Sequence, residues 1–214
     1  IFDEFQEVAI YGEGPFEKKL RKSVQKHESV SYIFAGSQRH ILMEMFNDSK
    51  RAFYQLAASY PLKKIKTEHY LEWINGLYQV AGRTIDSSMI EEVVQRCRNH
   101  PRHVQQFFYE LWAFDEVNYE IIDRMERSII TKRLAEFMYI WDALSLNQKR
   151  ALKLLSGTGG QNIFSADNLS RFGFRTASQV TAALTACEKT GAASKNSRWV
   201  IEDPFFENWL QQKT

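Results

Sequence analysis

The stretch Ile1-Phe2-Asp3-Glu4-Phe5-Gln6 has the clearest chemical content in the chain: two apolar residues that run into adjacent carboxylates. Such a segment reads as the carboxyl end of a buried parallel strand, and open α/β sheets bind their ligands just beyond such ends. An aspartate there can hold a hard cation through oxygen, and a glutamate beside it can polarise a water molecule. A second stretch, Tyr32-Ile33-Phe34-Ala35-Gly36-Ser37-Gln38-Arg39-His40, has the same form, an apolar segment that Gly36 releases into a polar turn. Ser37 and Arg39 then fall just past the strand end, where a guanidinium can pair with phosphate oxygens. The plainer alternatives are a solvated acidic pair and a turn arginine facing a surface carboxylate.

Taken together, the two stretches resemble the ATPase domain of the archaeal-type ATPases, a prokaryotic branch of the AAA+/STAND class of P-loop proteins. Asp3 and Glu4 match the Walker B acids, and the turn from Gly36 to His40 matches the sensor 1 region. The resemblance implies ATP and Mg²⁺ as cofactors, with Asp3 as the metal ligand and Glu4 as the catalytic residue that orients the attacking water. It also implies Arg39 as the residue sensing the γ-phosphate, Ser37 as a neighbouring ligand contact, and Pro101, in a His100-Pro101 motif at a helix start, packed on the adenine.

One departure is as informative as the match. A phosphate-cradling loop needs glycines and a Lys-Ser or Lys-Thr pair opening a helix, and none of the ten glycines here is followed by lysine. Members of the family carry that loop upstream of the Walker B strand, whereas this chain begins inside the strand. The expectation is the back part of an ATPase without its Walker A half. Alone it is expected to hydrolyse no ATP.

These residues need a scaffold, and the 214 residues, 44% hydrophobic and 25% charged, suffice for one large or two small cores. A formal net charge of +2 demands no nucleic-acid partner. No apolar run reaches the roughly 18 residues of a membrane span, and no signal peptide is visible, so the chain reads as cytoplasmic. Cys97 and Cys187 fall on apolar helical stripes and read as small buried hydrophobes.

The pattern divides into three parts. Residues 1–66 read as a truncated P-loop α/β sheet remnant. In it a loop at Gly12-Glu13-Gly14-Pro15 leads to a basic helix from about Phe16 to His27, a strand runs from Val30 to Ala35, and a helix begins at Ile41. Pro61-Leu62-Lys63-Lys64-Ile65 reads as an edge strand closing the sheet, and Arg51 as a weak candidate for an arginine finger. Residues 67–140 read as a helical lid. One helix is capped by Thr67, with Tyr70, Ile74, Leu77 and Tyr78 inside; the next is capped by Asp86 or Ser87, with Ile90, Val93, Val94 and Cys97 inside. Pro101 opens a third, with Val104, Phe107, Phe108 and Leu111 inside, and a single helix from about Asn118 to Trp141 leads out.

Residues 141–214 give three helices and then a hairpin, which is the winged-helix order. The third helix, from about Ala177 to Lys189, turns Ser178, Gln179, Thr181, Thr185 and Lys189 outward. That face is polar but holds little charge, and residues 142–214 carry nine Lys or Arg against six Asp or Glu. Phosphate contacts dominate DNA affinity, so docking to a protein or to the protein's own domains is favoured, with DNA a second option. The aromatics of Asp203-Pro204-Phe205-Phe206 and Trp209-Leu210 are expected to pack on the wing. The fold class is thus mixed α/β and mostly helical: sheet remnant, lid, winged helix. The alternative to an ATPase is a non-enzymatic winged-helix DNA- or protein-binding regulator.

Overall fold

A computed structural model describes residues 1–11, 14–195 and 197–213, and the chain falls into two compact units, Ile1–Lys63 and Lys64–Thr214. Of the expected loop and hairpin turn, Gly12, Glu13 and Asn196 lie outside the described residues.

In the first unit the two apolar stretches lie side by side in parallel. Phe2 faces Phe34 across a single bridge, in which Phe2 N donates to Ile33 O and Ala35 N donates to Phe2 O, each at 2.8 Å. The expected strand over Val30–Ala35 is therefore reduced to one bridge. Each stretch finds a partner on one side only, and Ile1 is 88% exposed rather than buried. The pair is held by aromatic packing. Phe5 meets Phe34 with ring centroids 4.5 Å apart and Phe53 edge-on at 5.1 Å. Phe5, Met45 and Phe53 form a closed core.

Three helices surround this core: α1 (Glu7–Ile10), α2 (Pro15–Gln25) and α3 (Arg39–Asn47). Pro15 occupies the first turn of α2, where its missing N–H is not needed. Arg51 is held by the buried carboxylate of Glu17 at 2.5 Å and by Glu44 at 3.5 Å. It is a structural cation of this unit rather than a free finger. Residues 61–65 form no strand, and Pro61 has no N–H to give to a ladder.

The second unit is built on helices α4 (Thr67–Val80), α5 (Ser87–Arg96), α6 (Pro101–Leu111), α7 (Tyr119–Lys132), α8 (Leu134–Ala143), α9 (Leu146–Thr158), α10 (Ala166–Arg171) and α11 (Ala177–Lys189). Antiparallel strands β1 (Ala193–Lys195) and β2 (Trp199–Ile201) and helix α12 (Pro204–Gln212) complete it. Helices α9 to α11 followed by the hairpin are the winged helix, and the protein is mostly helical with this one small sheet. No helix among the described residues is long and apolar enough to cross a membrane.

One hydrophobic core runs from Tyr70 to Leu210, so the winged helix and the helices before it are packed as one body. Asp86 caps α5 through Ser88 N. Ser145 and Gln148 close a capping box on α9, satisfying two amides that the helix cannot satisfy itself. Thr67 does not cap α4: Lys66 holds that position, and the Thr67 hydroxyl lies 3.1 Å from Asn99 Nδ2. Leu77, expected inside, is 44% exposed.

The single helix expected over 118–141 is broken at Arg133 (φ −95°, ψ 6°). The guanidinium of Arg133 is bound by Glu136 at 2.8 Å and by Asp203 at 2.6 Å. Helix α12, which carries the closing aromatics, packs on α9, on α7 and on β2 of the wing, and its rings also reach α6 and α8, Phe205 against Phe107 and Phe206 and Trp209 against Phe137.

Candidate functional site

Parallel pairing places the carboxyl ends of both stretches at one edge, so Asp3, Glu4 and Ser37 come together there. The backbone of Glu4 is in the left-handed region at φ 48°, a conformation that non-glycine residues rarely hold and that concentrates at functional sites. Its amide donates to Asp3 Oδ1 at 2.9 Å, and its carbonyl accepts from Glu7 N at 3.0 Å as α1 begins. The two carboxylates are consequently aimed by a turn fixed on both sides.

The Glu4 carboxylate is held by two side chains. Oε2 accepts from Ser37 Oγ at 3.0 Å and from Gln6 Nε2. These bonds favour the charged form and keep its pKa below the usual carboxylate range, Gln6 contributing most. Glu4 is therefore an anion at neutral pH. Asp3, exposed beside it, offers oxygen ligands of the kind that Mg²⁺ takes, one or two carboxylates completed by water.

Gln6 was not singled out from the sequence. Its side chain is 1% exposed, and its Oε1 has no hydrogen-bond partner among the described residues. Gly36 makes room for it: a Cβ at Gly36 would fall on Gln6 Oε1 and 3.0 Å from Leu42 Cδ1. No local spacing signals this contact, because Glu4 is left-handed and Gln6 helical, so the turn between them follows no strand or helix period.

Arg39 opens α3 two residues past Ser37, and its side chain lies outside the described residues. Pro101 belongs to the second unit and is the first residue of α6, exposed, with His100 as N-cap. Just before it, Arg98 (φ 51°) and Asn99 (φ 59°) are both left-handed. They line a cleft of about 440 Å³ together with Lys64, Ser194, Arg198, Glu202 and Glu207. There Arg98 pairs with the buried Glu207 and donates to Ile201 O at 2.9 Å, and Lys64 Nζ donates to Arg98 O at 2.8 Å. Burial and the neighbouring Arg198 both lower the pKa of Arg98. No sequence pattern announced this cleft, because its walls come from positions about 100 residues apart.

Comparison with known proteins gives two findings. A family model described as "Probable winged helix domain" matches residues 135–212. Among solved structures, the chain is similar to the Walker-type ATPase PABY2304 of Pyrococcus abyssi, with a TM-score of 0.72 at 17% sequence identity, covering 98% of this chain. The chain spans 62% of the length of that structure. No curated protein matches the sequence.

Proposed function

We propose that these residues belong to an ATP-binding and ATP-hydrolysing protein of the AAA+/STAND type, in which nucleotide turnover acts through the winged helix. The observation that carries this reading is the meeting of Asp3, Glu4 and Ser37 at one edge of a parallel pair, with Glu4 in a strained turn and ionised. The likeness to a structure titled as a Walker-type ATPase supports it.

In this reading Asp3 holds the cation, and Mg²⁺ when bound neutralises charge on the phosphates. Glu4 orients the attacking water and takes up its proton at the carboxylate. Arg39, the first residue of α3, is assigned the γ-phosphate in this reading. None of the ten glycines is followed by lysine, so no residue here is assigned to a phosphate-cradling loop.

The winged helix is the output of the proposed switch. Its outward face on α11 exposes Ser178, Gln179, Thr181, Thr185 and Lys189, with Glu188 half-buried beside them, a composition suited to a protein surface or to the protein's own domains more than to DNA. Because α9 to α12 share a core with α4 to α8, a nucleotide-driven change moves lid and winged helix together. Replacing Glu4 with Gln in the full-length protein tests the assignment. Turnover is expected to fall about 100-fold or more while ATP binding persists; unchanged turnover would remove Glu4 from the mechanism.

A further inference from the structure

We infer that Gln6 is a positioning residue which, with Ser37, clamps the Glu4 carboxylate in place, and that Gly36 is glycine to admit the Gln6 side chain. This deepens the reading above, since it gives the proposed water-orienting residue its support.

Three observations carry it. First, Gln6 is polar yet almost wholly buried, and buried side-chain amides need partners; its Nε2 spends its donor on Glu4 Oε2. Second, Ser37 donates to the same oxygen from the other stretch. Glu4 is thus gripped from both members of the parallel pair. Third, the space at Gly36 matches this one side chain, since a single added carbon would collide with Gln6 Oε1.

The chemistry of the clamp is orientation. A carboxylate on a flexible two-carbon stem, fully exposed, samples several rotamers, and a general base acts well only when held within reach of its proton. Two donors on Oε2 fix the carboxylate plane. Ser37, expected as a ligand contact, then acts through Glu4.

The contact itself is tested on the 214-residue chain, labelled with ¹⁵N, by following the side-chain amide protons of Gln6 with those of the exposed Gln161 as reference. Replacing Glu4 with Ala should shift the Gln6 amide and speed its solvent exchange about tenfold or more, while Gln161 stays unchanged. A Gln6 amide indifferent to the loss of Glu4 would overturn the clamp.

The role is tested on the full-length protein with Gln6→Met and Ser37→Ala. Ser37 is exposed, so its variant folds even where Gln6→Met does not. The expected result is a kcat reduced roughly 10- to 100-fold with KM for ATP within about twofold. A raised KM with unchanged kcat would make these residues ligand contacts and overturn positioning. If the wild-type protein turns over no ATP, the ATPase reading falls, and the amide measurement still decides the clamp.

Discussion

Asp203 joins two structural tasks, and its replacement by Ala separates them in energy. One carboxylate oxygen caps α12, accepting from Phe205 N at 2.9 Å and Phe206 N at 3.2 Å; losing such a cap costs about 1 kcal/mol. The other oxygen pairs with Arg133 at 2.6 Å, whose side chain is 9% exposed. Stripping one partner from a buried pair costs about 3–5 kcal/mol. Here Glu136 keeps its two bonds to Arg133, at 2.8 and 3.0 Å, so about 2 kcal/mol is the better figure for this part. Asp203→Ala should therefore destabilise the second unit by about 3 kcal/mol at neutral pH, and Asp203→Asn, which retains the cap, by about 2 kcal/mol. Urea unfolding followed by tryptophan fluorescence reads this directly, because all five tryptophans lie in the second unit. A loss under about 1 kcal/mol for Asp203→Ala, or equal losses for the two variants, would refute the division of roles.

Two further outcomes are expected. His103 is buried, and burial pushes its pKa down from 6.5 to about 4, with Asp203 opposing and His100, Arg133 and Arg102 reinforcing the shift. Since the unfolded chain takes up the proton first, the second unit keeps this stability above pH 6.5 and loses it as pH falls toward 4, by up to about 1.4 kcal/mol per pH unit; His103→Leu should flatten that part of an unfolding-versus-pH curve. Gly36→Ala should destabilise the first unit by about 1–3 kcal/mol through collision with Gln6, seen as faster hydrogen exchange at the Phe5 and Ala35 amides, and unchanged exchange would show that Gln6 yields freely.

Much of the second unit was legible because its signals are local. Ile90, Val93, Val94 and Cys97 share a helical face, Asp86 caps their helix, and Pro101 can only begin one. The order of α9 to α11 and the hairpin followed from Gly173, Gly191 and the cap at Ser165. The break at Arg133 has no glycine or proline to announce it, and the carboxylate that binds Arg133 lies 70 residues on. Phe205, Phe206 and Trp209 read correctly as buried, but which surface they cover is a tertiary choice. In the first unit, Asp3, Glu4 and Ser37 were visible as residue types at strand ends. That Gln6 sits against Gly36 and grips Glu4 depends on the parallel register, which no local pattern encodes.

Turnover of Mg²⁺-ATP by the full-length protein, wild type beside Glu4→Gln, tests the central claim most directly. The account predicts steady hydrolysis by the wild type and a loss of about 100-fold in the variant with nucleotide binding retained. A wild-type protein that neither binds nor hydrolyses ATP would contradict it, leaving the strand-end carboxylates without the role proposed for them.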